Sequence, residues 1–512
     1  METGLRPSAR QVVRGSLFSA AEFSLNSALL PLIITPMIFH RLGPEGYGRW
    51  ALIFTIGGWF LFVDLGIHLG ITRFAGQFAG AGDRSGLHRL FQTAAYACAG
   101  LFVLAALLAV GLSHPLLGRF LDRHTHPSDD AALIFLCVFH VLTAAIRTTA
   151  GIYAGLQKID TASVISMLIG LLQGAGIWRW YMSETPTLER LAMIFLAAAA
   201  IHLIALIFLL MRTPIGTGWM PVTDGSSGLD AGLLKSLLSF GFILYVSRIL
   251  VAVLTSDRLY LGWIRAPLDQ IAAYHIGALM VTKAAVVLNV IWFPVYPAAA
   301  ALAACRDDRR IEELSLKTFR ILAAVGFFLF AFLDVFARPL VFVWLGMDSP
   351  VAVQTARLLS GWGLTAIFGG LGAIAIGVGR ADIQFKSCGV AAAAMLALYP
   401  ILIRPFGAAG VAAAISLAFM ASGLCLLAWF RRDVVRIPVK TLLWDGIIRP
   451  IGCATVAVGA AWTVSRIFGG GDRIHQAVIV LGAGILALVI YAVSARVAGL
   501  IRDDDLAWIR RS

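Results

Sequence analysis

Several ionisable side chains in this 512-residue chain stand where charge is costly. Glu22, Asp64, Arg147, Arg248 and Lys283 each fall inside a long apolar stretch, and Asp257 and Arg258 close another. Where such a stretch crosses a bilayer, a central charge costs at least about 2.5–3.5 kcal/mol on insertion scales, so the side chain must face water or a partner. Arginine and lysine in that position suit an anion. Guanidinium presents paired donors to phosphate oxygens, and a diphosphate would engage several such donors together. Arg147, Arg248, Lys283 and Arg258 are therefore candidates for holding one. Glu22, Asp64 and Asp257 suit either coupling to a proton or sodium gradient, or service as fixed counter-charges. Two arrangements stay open from the residues alone: a cavity with excess positive charge, or ion pairs of Arg248 or Lys283 with Asp64 or Glu22.

Other chemistries lack their residues. There is no GxxxxGK[ST] nucleotide loop and no catalytic constellation, so the chain is expected not to be an enzyme and to need no cofactor beyond a coupling ion. The segment HTHPSDD (124–130) is expected to be a solvated loop rather than a metal site, and RDDRRIEE (306–313) a solvated loop of mixed charge. None of the six cysteines forms a CxxC pair. All but Cys305 lie in apolar runs, where a thiol packs as a small hydrophobe. The net charge of +13 comes from basic residues scattered through short connections, without the basic stripe of a nucleic-acid reader.

The elements that must position these side chains are helices in lipid. Only 13% of the chain is charged and its mean hydropathy is +0.86, against roughly 25% charge for soluble chains. Apolar segments run at roughly 16–39, 50–71, 90–113, 131–151, 161–180, 191–211, 236–256, 271–300, 318–337, 357–378, 384–403, 406–430, 447–465 and 474–495. These lengths suit helices and exceed the 9–11 residues of a membrane strand. The expectation is an all-α polytopic membrane protein of about fourteen transmembrane helices. With the N-terminus inside, 25 of the 41 Lys and Arg fall on the cytoplasmic side, 13 outside and three within spans. That bias predicts a bacterial cytoplasmic-membrane protein with both termini cytoplasmic. The Gly-, Pro- and Ser-rich connection 212–235 is expected to separate an N-terminal lobe of six helices (1–211) from a pseudo-symmetric second lobe (236–430), with a C-terminal helix pair and cytoplasmic tail in 431–512. Three GxxxG pairs, Gly66–Gly70, Gly151–Gly155 and Gly170–Gly174, predict close helix crossings. The glycine-rich run 361–379 predicts bending or close backbone contact.

The loop HRLGPEGYGR (40–49) joins the first two spans. Gly43, Gly48 and Pro44 shape a sharp turn there, and Glu45 is placed to bridge Arg41 and Arg49. Asp64, in VDLGIHLG, could reach Arg73 only across a bend, since nine residues of helix span about 13 Å. The motif is expected to act as a structural hinge.

Residues 31–76, PLIITPMIFHRLGPEGYGRWALIFTIGGWFLFVDLGIHLGITRFAG, resemble the start of the bacterial polysaccharide exporters. These are the lipid-linked oligosaccharide flippases of the multidrug/oligosaccharidyl-lipid/polysaccharide (MOP) superfamily. The matching parts are the proline in span one, RLGPEGYG, and DLG followed by Arg73. LTSDRLYLGWIRAPLDQIAAYHIG (254–277) resembles the family around spans seven and eight, with Arg265–Ala266 and Ala272–Ala273–Tyr274 where relatives have LG and GxY. The resemblance implies a pair of six-helix lobes and transfer of a polyprenyl-diphosphate-linked oligosaccharide from the inner to the outer leaflet by alternating access. Basic cavity residues would hold the diphosphate. Expected partners are that lipid-linked oligosaccharide, membrane lipids, and a polysaccharide polymerase with its co-polymerase. Two alternatives belong beside it: a cation-coupled multidrug exporter of the same superfamily, and a non-transporting scaffold for envelope assembly. A glycan polymerase or ligase would typically carry a large outer loop, and the longest outer connections here, 114–130 and 338–356, are small.

Overall fold

The computed structural model describes residues 9–121, 127–212, 230–254, 256–292, 295–468 and 471–500. Within those segments a few helical side chains, Arg248 among them, lie outside the described set. The chain divides into two units, Met1–Leu268 and Asp269–Ser512.

The first unit contains α1 (Ala9–Ser24), α2 (Leu30–Gly58), α3 (Ile67–Gly80), α4 (Arg84–Phe120), α5 (Pro127–Gly155), α6 (Ile159–Tyr181), α7 (Leu188–Met211), α8 (Ala231–Leu254) and α9 (Asp257–Trp263). The second contains α10 (Leu268–Trp292), α11 (Val295–Ala304), α12 (Asp308–Val335), α13 (Ala337–Leu345), α14 (Pro350–Leu364), α15 (Gly369–Gly377), α16 (Ala381–Asp433), α17 (Val439–Leu443), α18 (Arg449–Ile467) and α19 (Arg473–Val497). No strand occurs among the described residues. The contact boundary lies at Leu268, so α8, which packs on α3 and α4, groups with the first unit.

Eleven helical stretches among the described residues are long and apolar enough to cross a membrane. Two of them are too long for one crossing. Leu17–Phe62 has 46 residues and Ala381–Asp433 has 53, and a straight helix of the latter length would extend about 80 Å. Each turns back at a glycine, Gly43 at φ 71° and Gly407 at φ 53°, a conformation that penalises any side chain. The rings of Phe39 and Tyr47 meet at 5.5 Å, where eight residues of straight helix would separate them by about 12 Å. Beyond Gly407, a Cβ at Gly410 would collide with the Leu402 backbone. Each stretch thus holds two spans, and the 24-residue α8 brings the number to about fourteen.

Helix ends repeat between the units. Gln157 stands at φ 57° and the Lys158 N–H reaches back to the Tyr153 carbonyl at 2.8 Å; Gly379 stands at φ 86° and the Arg380 N–H reaches the Ala375 carbonyl at 2.8 Å. Gly82 and Asp83 have the same relation to Phe78 as Arg306 and Asp307 have to Leu302. Asp83 then accepts from Gly86 N–H at 2.8 Å and Asp307 from Arg310 N–H at 3.1 Å, each capping the helix that follows. RDDRRIEE is therefore mostly the first turns of α12 rather than a loop, with exposed pairs Arg310–Asp307 and Arg309–Glu313 at 3.3 Å each.

Two π-turns, Leu25–Leu29 and Trp444–Ile448, each precede a proline by two residues, Pro31 and Pro450. Proline cannot donate to the preceding turn and its ring crowds it, so a widened turn relieves both problems. The C-terminal pair α18 and α19 packs on α12 through Cys453, Ala457 and Tyr491, whose hydroxyl donates to the Ala324 carbonyl at 2.7 Å. Cys98, Cys137, Cys388 and Cys453 are buried and Cys305 is exposed. The glycine-rich run of 361–379 does approach neighbours closely: a Cβ on Gly363 would collide with the Phe330 ring, and the helix tightens into a 3-10 turn at Thr365–Phe368.

Candidate functional site

Span two is broken. After Gly58, α2 gives way to a 3-10 turn at Trp59–Phe62, and α3 resumes at Ile67. Leu65 at φ 48° and Gly66 at φ 80° carry the chain through the break. Asp64 lies in it, buried. Its Oδ1 accepts from Gly66 N–H at 3.3 Å and its carbonyl accepts from Ile67 N–H at 2.9 Å, the pattern of an aspartate organising its own turn. A break inside a span frees backbone groups that lipid cannot satisfy. Tyr245 of α8 meets one of them by donating its hydroxyl to the Phe62 carbonyl, and its ring covers Gly66.

The GxxxG pairs set how closely this break is gripped. Gly66 and Gly70 admit α8: a Cβ at Gly70 would lie 2.9 Å from the Leu237 carbonyl oxygen. Gly151 and Gly155 admit α3 to α5: a Cβ at Gly151 would lie 3.1 Å from the His68 carbonyl oxygen and one at Gly155 2.5 Å from the Ala75 Cβ. Arg147 stands one turn before Gly151, so this close crossing delivers its guanidinium to His68. The result is a chain of three side chains. The Asp64 Oδ2 meets His68 Nδ1, and Arg147 Nη2 lies 3.2 Å from His68 Nε2. Arginine only donates, so Nε2 must accept and Nδ1 must carry the proton that Asp64 accepts.

A second polar cluster joins α1, the π-turn and α6. Glu22 Oε1 accepts from Asn26 Nδ2 at 3.1 Å and from Ser166 Oγ at 2.8 Å, and Asn26 Nδ2 lies 3.1 Å from both the Ser166 carbonyl and its Oγ. Asn26 Oδ1 is buried without a hydrogen-bond partner among the described residues. Gly170 lets α6 come this close, since a Cβ there would collide with that Oδ1.

Several expectations need correction. Asp64, which could reach Arg73 only across a bend, pairs instead with His68, four residues on. Sequence reasoning passes over His68, although its position four residues after Asp64 was the available signal. Glu45 does not bridge Arg41 and Arg49. Arg49 pairs with Asp129 at 2.6 Å and Arg41 donates to the Ser183 carbonyl. Asp129 is consequently buried in the first turn of α5, and the second half of HTHPSDD is not a solvated loop; His124 and His126 lie outside the described residues. No group of metal-binding side chains occurs among the described residues.

Arg147 is in the clasp with His68. Arg258 pairs with Asp257 at 3.3 Å on α9, which packs on α2 and α4, with Gly262 close against Leu52 and Phe120. Its Nε is buried without a hydrogen-bond partner in the described set. Lys283 is half-buried on α10 in the second unit, and the Arg248 side chain lies outside the described residues. His140 is a packing residue: it bonds the Leu136 carbonyl at 2.7 Å among Phe54 and Phe139.

Residues 23–175, which contain the Asp64–His68–Arg147 chain, match the MatE family model. No curated protein matches the chain. Among solved structures it is similar to an inward-facing multidrug resistance MATE family transporter of the MOP superfamily, with TM-score 0.66 and 14% identity over 83% of this chain and 98% of that one. It is similar to the lipid II flippase MurJ in an inward closed conformation, with TM-score 0.69 and 12% identity over 95% of this chain and 100% of that one. It is also similar to a MOP superfamily transporter from Pyrococcus furiosus, described by a reverse polarity of its binding pocket that suggests a different function, with TM-score 0.59 and 15% identity over 84% of this chain and 97% of that one. The chain is thus similar to the MatE family over residues 23–175, and its fold is that of the solved MOP superfamily transporters.

Proposed function

We propose that the protein is a transporter that moves a polyprenyl-diphosphate-linked oligosaccharide from the inner to the outer leaflet of the bacterial cytoplasmic membrane by alternating access, supplying surface polysaccharide synthesis. One observation carries this reading. The likeness to the lipid II flippase extends over 95% of this chain, whereas the likeness to the multidrug transporter stops at 83%. The chain builds a C-terminal helix pair, α18 and α19, in addition to its two units' other spans, and its likeness to that flippase takes in the whole of the flippase chain.

The charges support an anionic cargo. Arg147, Arg248, Lys283 and Arg258 are the residues we assign to the diphosphate, and an ion gradient supplies the driving force. Glu22, with Asn26 and Ser166, offers the oxygen-rich surroundings a proton or sodium ion requires. The MatE match over 23–175 favours a second reading, export of an organic cation, for which the carboxylates of Asp64 and Glu22 would be the attracting groups.

Ligand binding to the purified protein separates the two. A diphosphate-bearing polyprenyl glycan is expected to raise the melting temperature and a quaternary ammonium dye to leave it unchanged. Arg248→Ala and Lys283→Ala should each weaken the glycan by about tenfold or more, the value of a lost charge-assisted hydrogen bond. Stabilisation by the dye alone would favour drug export.

A further inference from the structure

We infer that His68 is a proton-binding site, and that its proton and the guanidinium of Arg147 compete for the same lone pair. His68 is held at both ring nitrogens: Nδ1 by the Asp64 carboxylate and Nε2 by Arg147 Nη2 at 3.2 Å. An imidazole in this position has one nitrogen left to protonate, and it is the one that accepts from arginine. A proton on Nε2 would place two donors, both cationic, against each other. The clasp between α3 and α5 must then open on that side, while Asp64 stays in place to balance the imidazolium.

The remaining surroundings reinforce this assignment. Titratable groups near the site come from every helix packed on α3. Arg147 comes from α5. Cys98 of α4 and Tyr245 of α8 both lie close enough to feel the charge of Asp64. Tyr245 is committed to the Phe62 carbonyl. On α3 itself, Arg73 lies more than a turn beyond His68, and on α8 Arg248 follows Tyr245 by three residues. Within this set the imidazole is the side chain with one ring nitrogen that donates and one that accepts. At the break the chain between α2 and α3 runs through a 3-10 turn, Val63, Asp64 and two residues at positive φ, so α3 does not continue α2 as one straight helix.

The consequence for transport rests on the proposal that Arg147 is an anion ligand. An anion that draws the guanidinium away from His68 uncovers Nε2 and favours its protonation, and by linkage a proton on His68 favours the anion at Arg147. The proton site itself requires no glycan.

The test uses the full-length protein in lipid nanodiscs with 15N-labelled histidine. The His68 resonances are those lost in His68→Gln; if that variant does not accumulate, Asp64→Asn identifies them by their shift. At pH 8 the expected spectrum has Nδ1 protonated and Nε2 bare, with a cross-peak to the Arg147 guanidinium that is lost in Arg147→Lys. On acidification Nε2 gains a proton and the cross-peak disappears in the same step. A proton on Nε2 at pH 8, or a cross-peak that survives in the imidazolium form, would overturn the inference. A second measurement addresses the link to cargo. Binding of inorganic diphosphate is expected to take up one proton per protein in the wild type and none in His68→Gln. Binding without proton uptake, or no binding, would overturn the link and leave the proton site to the first measurement; no binding would also count against the assigned diphosphate ligands.

Discussion

Tyr245 holds the break in span two from the neighbouring helix. Removing its hydroxyl with Tyr245→Phe leaves the Phe62 carbonyl with only the longer bond from Leu65 N–H at 3.4 Å, at a cost of about 0.5–1.5 kcal/mol. Thermal unfolding in detergent should register this as a lower melting temperature, and an unchanged one would mean that the carbonyl finds another donor. Gly155→Val should be worse, since a Cβ there already meets the Ala75 Cβ at 2.5 Å and the Gly76 nitrogen at 3.0 Å. Gly100→Ala, which points into open space, should be neutral in the same assay. At this scale the sequence is legible where composition alone penalises a residue. Asp64 and Arg147 stand out in apolar runs because charge there needs a reason. His68 does not stand out, because its role comes from its two partners, and Arg147 is brought to it only by the close crossing of α3 and α5. Glu45 shows the opposite failure. Its neighbours Arg41 and Arg49 are near in sequence but find partners at Ser183 and Asp129 that only the fold brings close.

Helix ends carry information that the apolar spans lack. Asp83 and Asp307 cap α4 and α12 in the same way, and each replacement by alanine should cost about 0.5–2 kcal/mol, measured as loss of stability, while asparagine should be tolerated. If only one of the pair responds, the two turns are similar in shape without being equivalent in stability. Likeness between the two units is faint in sequence because lipid accepts almost any apolar side chain. It is clear at the turns, where backbone geometry restricts the choice: Gln157 with Gly379, and Gly82 with Arg306, occupy matching left-handed positions. The turns at Gly43 and Gly407 were readable in the same way, since proline adjoins the first and lies two residues before the second. The break at residues 59–66 was not readable. Trp59 to Val63 are good apolar span residues, and Asp64 alone interrupts them.

Orientation and cargo are the properties proposed for the whole molecule. Cys305 is the exposed native thiol among the six and precedes α12 on the side assigned to the cytoplasm. An impermeant maleimide should leave it unlabelled in intact cells and label it in inverted vesicles, while a cysteine introduced at Gly471 should behave oppositely. Labelling of Cys305 from outside would reverse the orientation and the direction of transfer with it. The number of spans was available from hydropathy and length because each crossing needs about twenty apolar residues. The cargo is not encoded in any such periodic property; it rests on a few cations whose neighbours the fold determines. The most direct measurement reconstitutes the purified protein into vesicles containing a labelled polyprenyl-diphosphate oligosaccharide and adds a glycan-cleaving enzyme outside. If the protein is a flippase, cleavage proceeds past the outer-leaflet share seen in protein-free vesicles, toward completion, and slows in Arg248→Ala and Lys283→Ala. Cleavage that stops at the protein-free level with correctly folded protein would contradict that role.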